Sequence, residues 1–181
     1  MLNRINIYNN YYIWWKNIDK TILILIISFF IAGLFFSLVS TSLIASDRLN
    51  TNSYYFFIKH LVFILLGISI MFIFSLLKED YLIKISLFLF VLSFLLLLLV
   101  PFFGAEVKGS KRWLDIPYLP RFQPVELIKP FYIVILASIL NFQKYNLYFK
   151  YLLTLLLIVP IILLLISQPD IGQSLLIIFV W

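Results

Sequence analysis

The feature that most constrains this chain is the recurrence of apolar runs long enough to cross a hydrocarbon core about 30 Å thick. Such runs cover residues 21–45, 61–77, 85–103, 127–142 and 151–166, and a sixth, 172–181, is too short to cross. No soluble domain of appreciable size fits between them. Composition agrees, with 64% hydrophobic and 12% charged residues, against roughly 25% charged in soluble domains. The expected fold is an all-α membrane protein: a polytopic transmembrane helix bundle of about five complete spans plus a truncated sixth, forming one transmembrane domain over 1–181.

The formal charge is +6, but the basic residues are scattered through short loops rather than gathered in a stripe, so no nucleic-acid partner is expected. They suit topology and headgroup contacts with membrane lipids. There is no cysteine and one histidine, His60, which excludes disulfides, thiolate metal sites and a zinc centre. The apolar run after Lys20 is too long for a cleavable signal peptide and is expected to stay as an anchor.

Loop charges bear on orientation. An amino terminus inside places Arg4, Lys16, Lys20, Lys78, Lys84, Lys144 and Lys150 in the cytoplasm, while Arg48, Lys59, Lys108, Lys111, Arg112, Arg121 and Lys129 fall on the other side. That is a tie unless the basic cluster of the long polar loop, 104–126, and its helix start is set apart as functional; with it set apart, the amino terminus is cytoplasmic. A basic cluster on the outer face then suggests a bound anion such as a lipid phosphate or pyrophosphate. Side chains snorkelling to anionic headgroups are the alternative.

The stretch "FQPVELIK" places Glu126 and Lys129 three residues apart, on one face of a helix that Pro124 can start. Glu126 at the third helical position can reach back to cap the helix. Lys129 meets the positive end of the dipole and needs a partner, which Glu126 supplies. Charges inside a membrane face a wet cavity or the bundle interior and are candidates for function. Upstream, Arg112 lies beside Trp113, suited either to a lipid phosphate or to an interfacial belt. In "QPDIG", Asp170 is placed to cap the next helix.

Taken in order, "VKGSKRWLDI", "RFQPVELIK" and "QPDIGQSLL", each at a span end, resemble the SEDS family of bacterial cell-wall polymerases (shape, elongation, division and sporulation). "YYFFIKHLVFILLG" after the first span is most similar to its cell-division branch. The resemblance implies a ten-span inner-membrane peptidoglycan glycosyltransferase that polymerises lipid II, a disaccharide-pentapeptide on an undecaprenyl pyrophosphate carrier. It implies a class B penicillin-binding transpeptidase and other division proteins as partners, at the division septum. Arg112, Arg121, Gln123, Glu126, Lys129 and Asp170 match positions lining or flanking the family's outward-facing cavity and are the expected substrate-binding residues. A divalent cation is allowed by the resemblance, though no residue here specifies a metal site and no cofactor is evident. Val125 and Pro117 depart from the family pattern, where a small residue and a glycine are usual. The catalytic aspartate that the resemblance implies lies beyond Trp181, so these residues are expected to be an amino-terminal fragment, inactive alone. Lipid II translocation and a non-catalytic scaffold for division proteins are the competing readings.

Overall fold

The computed structural model describes residues 12–41, 54–107, 109–116 and 120–181. Residues 42–45 of the first expected span, together with Arg4, Arg48, Lys108 and Pro117, lie outside the described residues. Among the described residues, five helices are long and apolar enough to cross a membrane. They are α1 (Lys20–Phe36), α2 (Tyr55–Ser75), α3 (Glu79–Phe103), α4 (Pro124–Asn141) and α5 (Leu147–Ser167), and a shorter helix, α6 (Ile171–Val180), follows. The chain divides into two compact units, Met1–Leu77 and Lys78–Trp181.

In the first unit, Asp19 caps α1 by accepting from the Thr21 and Ile22 amides at 2.8 and 3.2 Å. α1 runs into a wider π turn, Ser37–Thr41. Neither α1 nor α2 buries any residue; their apolar side chains are of the kind hydrocarbon accepts on every face. Trp14 donates from Nε1 to Ser75 Oγ at 3.1 Å and meets Phe72 edge-on, tying the start of the unit to the end of α2.

The second unit holds the core. Its buried faces recur at three- and four-residue steps: Ser86, Phe90, Ser93, Leu97 and Val100 on α3, and Thr154, Ile158, Ile161 and Leu165 on α5. That spacing lays one seam along each helix. In lipid there is no hydrophobic drive between helices, so small side chains that let backbones approach matter more than apolar area. The hydroxyls of Ser93, Thr154 and Ser174 are accommodated by donating to carbonyls of their own helices, Leu89, Tyr151 and Asp170.

Four helices begin well before the expected apolar runs do. α2 starts at Tyr55 rather than 61, and α3 starts at Glu79 rather than 85, because Glu79 and Asp80 suit the positive end of a helix. α5 starts at Leu147, where Asn146 accepts from the Phe149 amide at 3.0 Å, and α4 starts at Pro124 rather than 127. Charged first turns can sit at headgroup depth, so hydropathy alone places these starts too late.

The polar loop after α3 is not structureless. Gly104 ends the helix in a place where a Cβ would lie 2.4 Å from the Val100 carbonyl oxygen. An antiparallel hairpin follows, β1 (Ala105–Val107) and β2 (Ser110–Trp113), with Gly109 at φ 79° in its turn, a conformation that glycine adopts without strain. The register steps from Ala105↔Trp113 to Glu106↔Lys111, so Arg112 is the extra residue of a bulge. Beyond it, Leu114 and Phe122 exchange backbone hydrogen bonds at 2.9 and 3.2 Å, which delivers the chain to the start of α4.

Candidate functional site

Four segments of the second unit meet at one end: the hairpin, the first turns of α4, the α5–α6 turn and the first turns of α6. α4 and α6 begin side by side, and their side chains join in two parallel rungs. Gln123 Nε2 donates to Asp170 Oδ2 at 2.8 Å, and one helical turn further Gln173 Nε2 donates to Glu126 Oε1 at 2.8 Å.

Arg112 completes the first rung. Bulges re-aim side chains, and this one sends the guanidinium to the α5–α6 turn. There Nε donates to the Gln168 carbonyl at 3.2 Å, Nη2 to the Pro169 carbonyl, and Nη1 lies 3.5 Å from Asp170 Oδ1. Asp170 is almost wholly buried, its side chain 7% exposed, while that of Arg112 is 32% exposed. A carboxylate so enclosed requires a charged or hydrogen-bonding partner on each oxygen, and it has both.

Lys129 completes the second rung. Its Nζ lies 2.6 Å from Glu126 Oε2 and donates to Gln173 Oε1 at 3.2 Å. Glu126 is half exposed and Lys129 largely covered, so this pair opens outward from the helix starts.

Two sequence expectations change. Glu126 has been read as a possible cap of α4, but Gln123, the capping residue, receives no side-chain bond; both Glu126 oxygens go to Gln173 and Lys129. Asp170 stands at the capping position of α6, yet its carboxylate makes no cap bond and turns to Gln123 and Arg112. In each case a charged or amide partner from another element outcompetes the backbone N–H. Arg121 does not join the cluster: it pairs with Asp115 at 2.5 Å in an exposed bridge across the loop. Gln173, Gln168 and Asp115 were missed. The signal for Gln173 was its spacing from Asp170, which matches that of Glu126 from Gln123.

Gln168 has a further task. Pro101 inside α3 has no N–H, which leaves the Leu97 carbonyl without its helical donor. Gln168 Nε2 points at that carbonyl from 3.5 Å. In hydrocarbon an unpaired carbonyl is costly, so the turn that carries Asp170 is also fastened to α3 beside its proline.

Among the described residues no three His, Cys, Asp or Glu side chains converge, and both carboxylates of the cluster already have cationic and amide partners. These residues do not fit a divalent cation. A cavity of about 670 Å³ lies elsewhere in the unit, lined by Glu79, Asp80 and Asn141 among others, and shares no residue with the cluster.

The chain's relatives can now be set beside this geometry. The family model for FtsW, RodA and SpoVE, described as cell cycle protein, matches residues 19–181. The chain is 32% identical over 163 residues to a probable peptidoglycan glycosyltransferase FtsW of Coxiella burnetii, covering 86% of this chain and 43% of that one. The Haemophilus influenzae protein of the same name is 30% identical over 163 residues, with 86% and 40% covered. The chain thus spans less than half the length of these curated relatives. Among solved structures it is similar to the rod shape determining protein RodA of Thermus thermophilus, with a TM-score of 0.60 and 29% identity over 81% of this chain and 50% of that one. It is also similar to a chain of a peptidoglycan synthase complex whose structure concerns the coordination of polymerization and crosslinking, with a TM-score of 0.59, 30% identity, and 81% and 44% covered.

Proposed function

The chain belongs to the FtsW, RodA and SpoVE family of cell cycle proteins, the SEDS family, and from that premise we propose that it forms the substrate-binding face of a peptidoglycan glycosyltransferase acting on lipid II. The reaction joins a sugar hydroxyl of one lipid-linked molecule to the anomeric carbon of another. The bond from that carbon to the carrier diphosphate breaks, undecaprenyl pyrophosphate leaves with the electron pair, and a general base takes the proton of the attacking hydroxyl.

Negative charge gathers on the leaving diphosphate, and cations fixed in advance near it lower the barrier. Lys129 meets that charge, the exposed edge of Arg112 assists from the first rung, and Arg121, paired with Asp115 outside the cluster, supplies a further cation from the loop. Glu126 holds Lys129 and can accept from a sugar hydroxyl, Gln123 and Asp170 keep the starts of α4 and α6 together, and Arg112 clamps the turn. The observation that carries this reading is the outward-opening Glu126–Lys129 pair, held by two rungs at the joined starts of two helices. The remaining loop basics support an outer-face site with the amino terminus in the cytoplasm, in the bacterial inner membrane. Similarity to FtsW proteins supports the division septum, and similarity to the synthase complex supports a class B penicillin-binding transpeptidase as partner.

The test is glycan-strand synthesis by the intact purified protein, with its partner, from purified lipid II. Lys129→Ala is expected to lower the rate by about 100-fold, the loss typical of one preorganised electrostatic donor. Unchanged synthesis would remove Lys129 from the site, and translocation of lipid II without polymerisation would replace the reaction.

A further inference from the structure

Glu126, Lys129 and Gln173 form a closed ring. Lys129 reaches both partners, at 2.6 Å to Glu126 Oε2 and 3.2 Å to Gln173 Oε1, and Gln173 Nε2 returns to Glu126 Oε1 at 2.8 Å. An amide head offers an acceptor and a donor at fixed spacing, so it can accept a hydrogen bond from an ammonium and donate one to a carboxylate at once. Two of the ring's members lie on α4 and the third on α6.

We infer that Gln173 is a positioning residue: from α6 it holds the Glu126–Lys129 pair of α4 in one orientation. Lysine is a point charge on a flexible four-carbon stem with three rotatable donors. With two donors taken inside the ring, one N–H remains for a ligand, and its direction is set by the two bonds already made. One N–H suits one phosphate oxygen. The ring carries one positive and one negative charge, so direction rather than net charge makes it selective. The meaning of this aim for catalysis rests on the reading that Lys129 meets the carrier diphosphate; the ring itself does not.

The test separates the two. In membranes containing the intact protein, a water-soluble amine-acylating reagent is applied and the labelling rate of Lys129 is measured by mass spectrometry relative to exposed Lys111. Acylation requires a deprotonated amine free of its partners. Gln173→Leu is expected to raise the relative rate about fivefold, the factor that loss of one ordinary hydrogen bond carries. The exchange Glu126→Gln with Gln173→Glu keeps one carboxylate, one amide and one ammonium, and is expected to restore protection that Glu126→Gln alone loses; general loosening of the helices would not be repaired by it. An unchanged rate in Gln173→Leu, or an exchange variant labelled as fast as Gln173→Leu, overturns the inference. Labelling that responds as described while Lys129→Ala leaves strand synthesis intact keeps the ring and sinks the catalytic reading alone. In strand synthesis, Gln173→Leu is expected to lower kcat more than it raises KM for lipid II.

Discussion

The side-chain amide of Gln123 donates to the carboxylate of Asp170 at 2.8 Å, joining the first residues of two helices far apart in the chain. The other oxygen of that carboxylate faces the Arg112 guanidinium. A buried acid with an amide on one side and a cation on the other is the junction on which this end of the unit depends.

Removing the acid therefore leaves two partners stranded. Asp170→Ala is expected to cost about 1–3 kcal/mol, the range for leaving buried hydrogen-bonding groups unsatisfied, and to lower the thermal midpoint of the detergent-solubilised protein. Asp170→Asn keeps an acceptor for Gln123 and loses only the attraction to Arg112, so its midpoint should fall between wild type and Asp170→Ala. A midpoint for Asp170→Asn equal to that of wild type would show that Arg112 holds the turn through the carbonyls of Gln168 and Pro169 alone.

Arg121 and Asp115 lie in a different regime. Both side chains are about half exposed, and exposed pairs contribute only ~0–1 kcal/mol. Asp115→Asn is expected to leave the thermal midpoint nearly unchanged. It also releases the guanidinium, so if Arg121 meets the carrier diphosphate, Asp115→Asn should lower KM for lipid II while Arg121→Ala raises it. A KM that moves the same way in both variants would place Arg121 outside the substrate's reach.

These two pairs mark how far the residues alone could be read. The apolar runs announce the spans because hydrocarbon imposes one length and one composition on any helix that crosses it. Glu126 and Lys129 announce each other because three residues is a fixed distance on a helix. Partners on separate elements carry no such ruler. The bulge that turns Arg112 toward the α5–α6 turn depends on how two short strands pair, and Gln173 joins the site only because α4 and α6 start side by side. Where a side chain had both a local and a distant option, as Asp170 and Glu126 did, the local capping role was legible and the distant one prevailed.

Pro101 lies inside α3 next to the same turn. Pro101 removes the N–H that would have met the Leu97 carbonyl, and Gln168 offers an amide from 3.5 Å in its place. If that amide answers the proline, Gln168→Leu should destabilise the protein by about 1 kcal/mol, the net worth of a typical hydrogen bond. Pro101→Ala restores the helical donor, so Gln168→Leu should cost much less in that background. The coupling between the two substitutions, read from thermal midpoints of the four variants, is expected at roughly 0.5–1 kcal/mol. Additive effects would mean that Leu97 draws nothing from Gln168, and that the turn carrying Asp170 is held by Arg112 without help from α3.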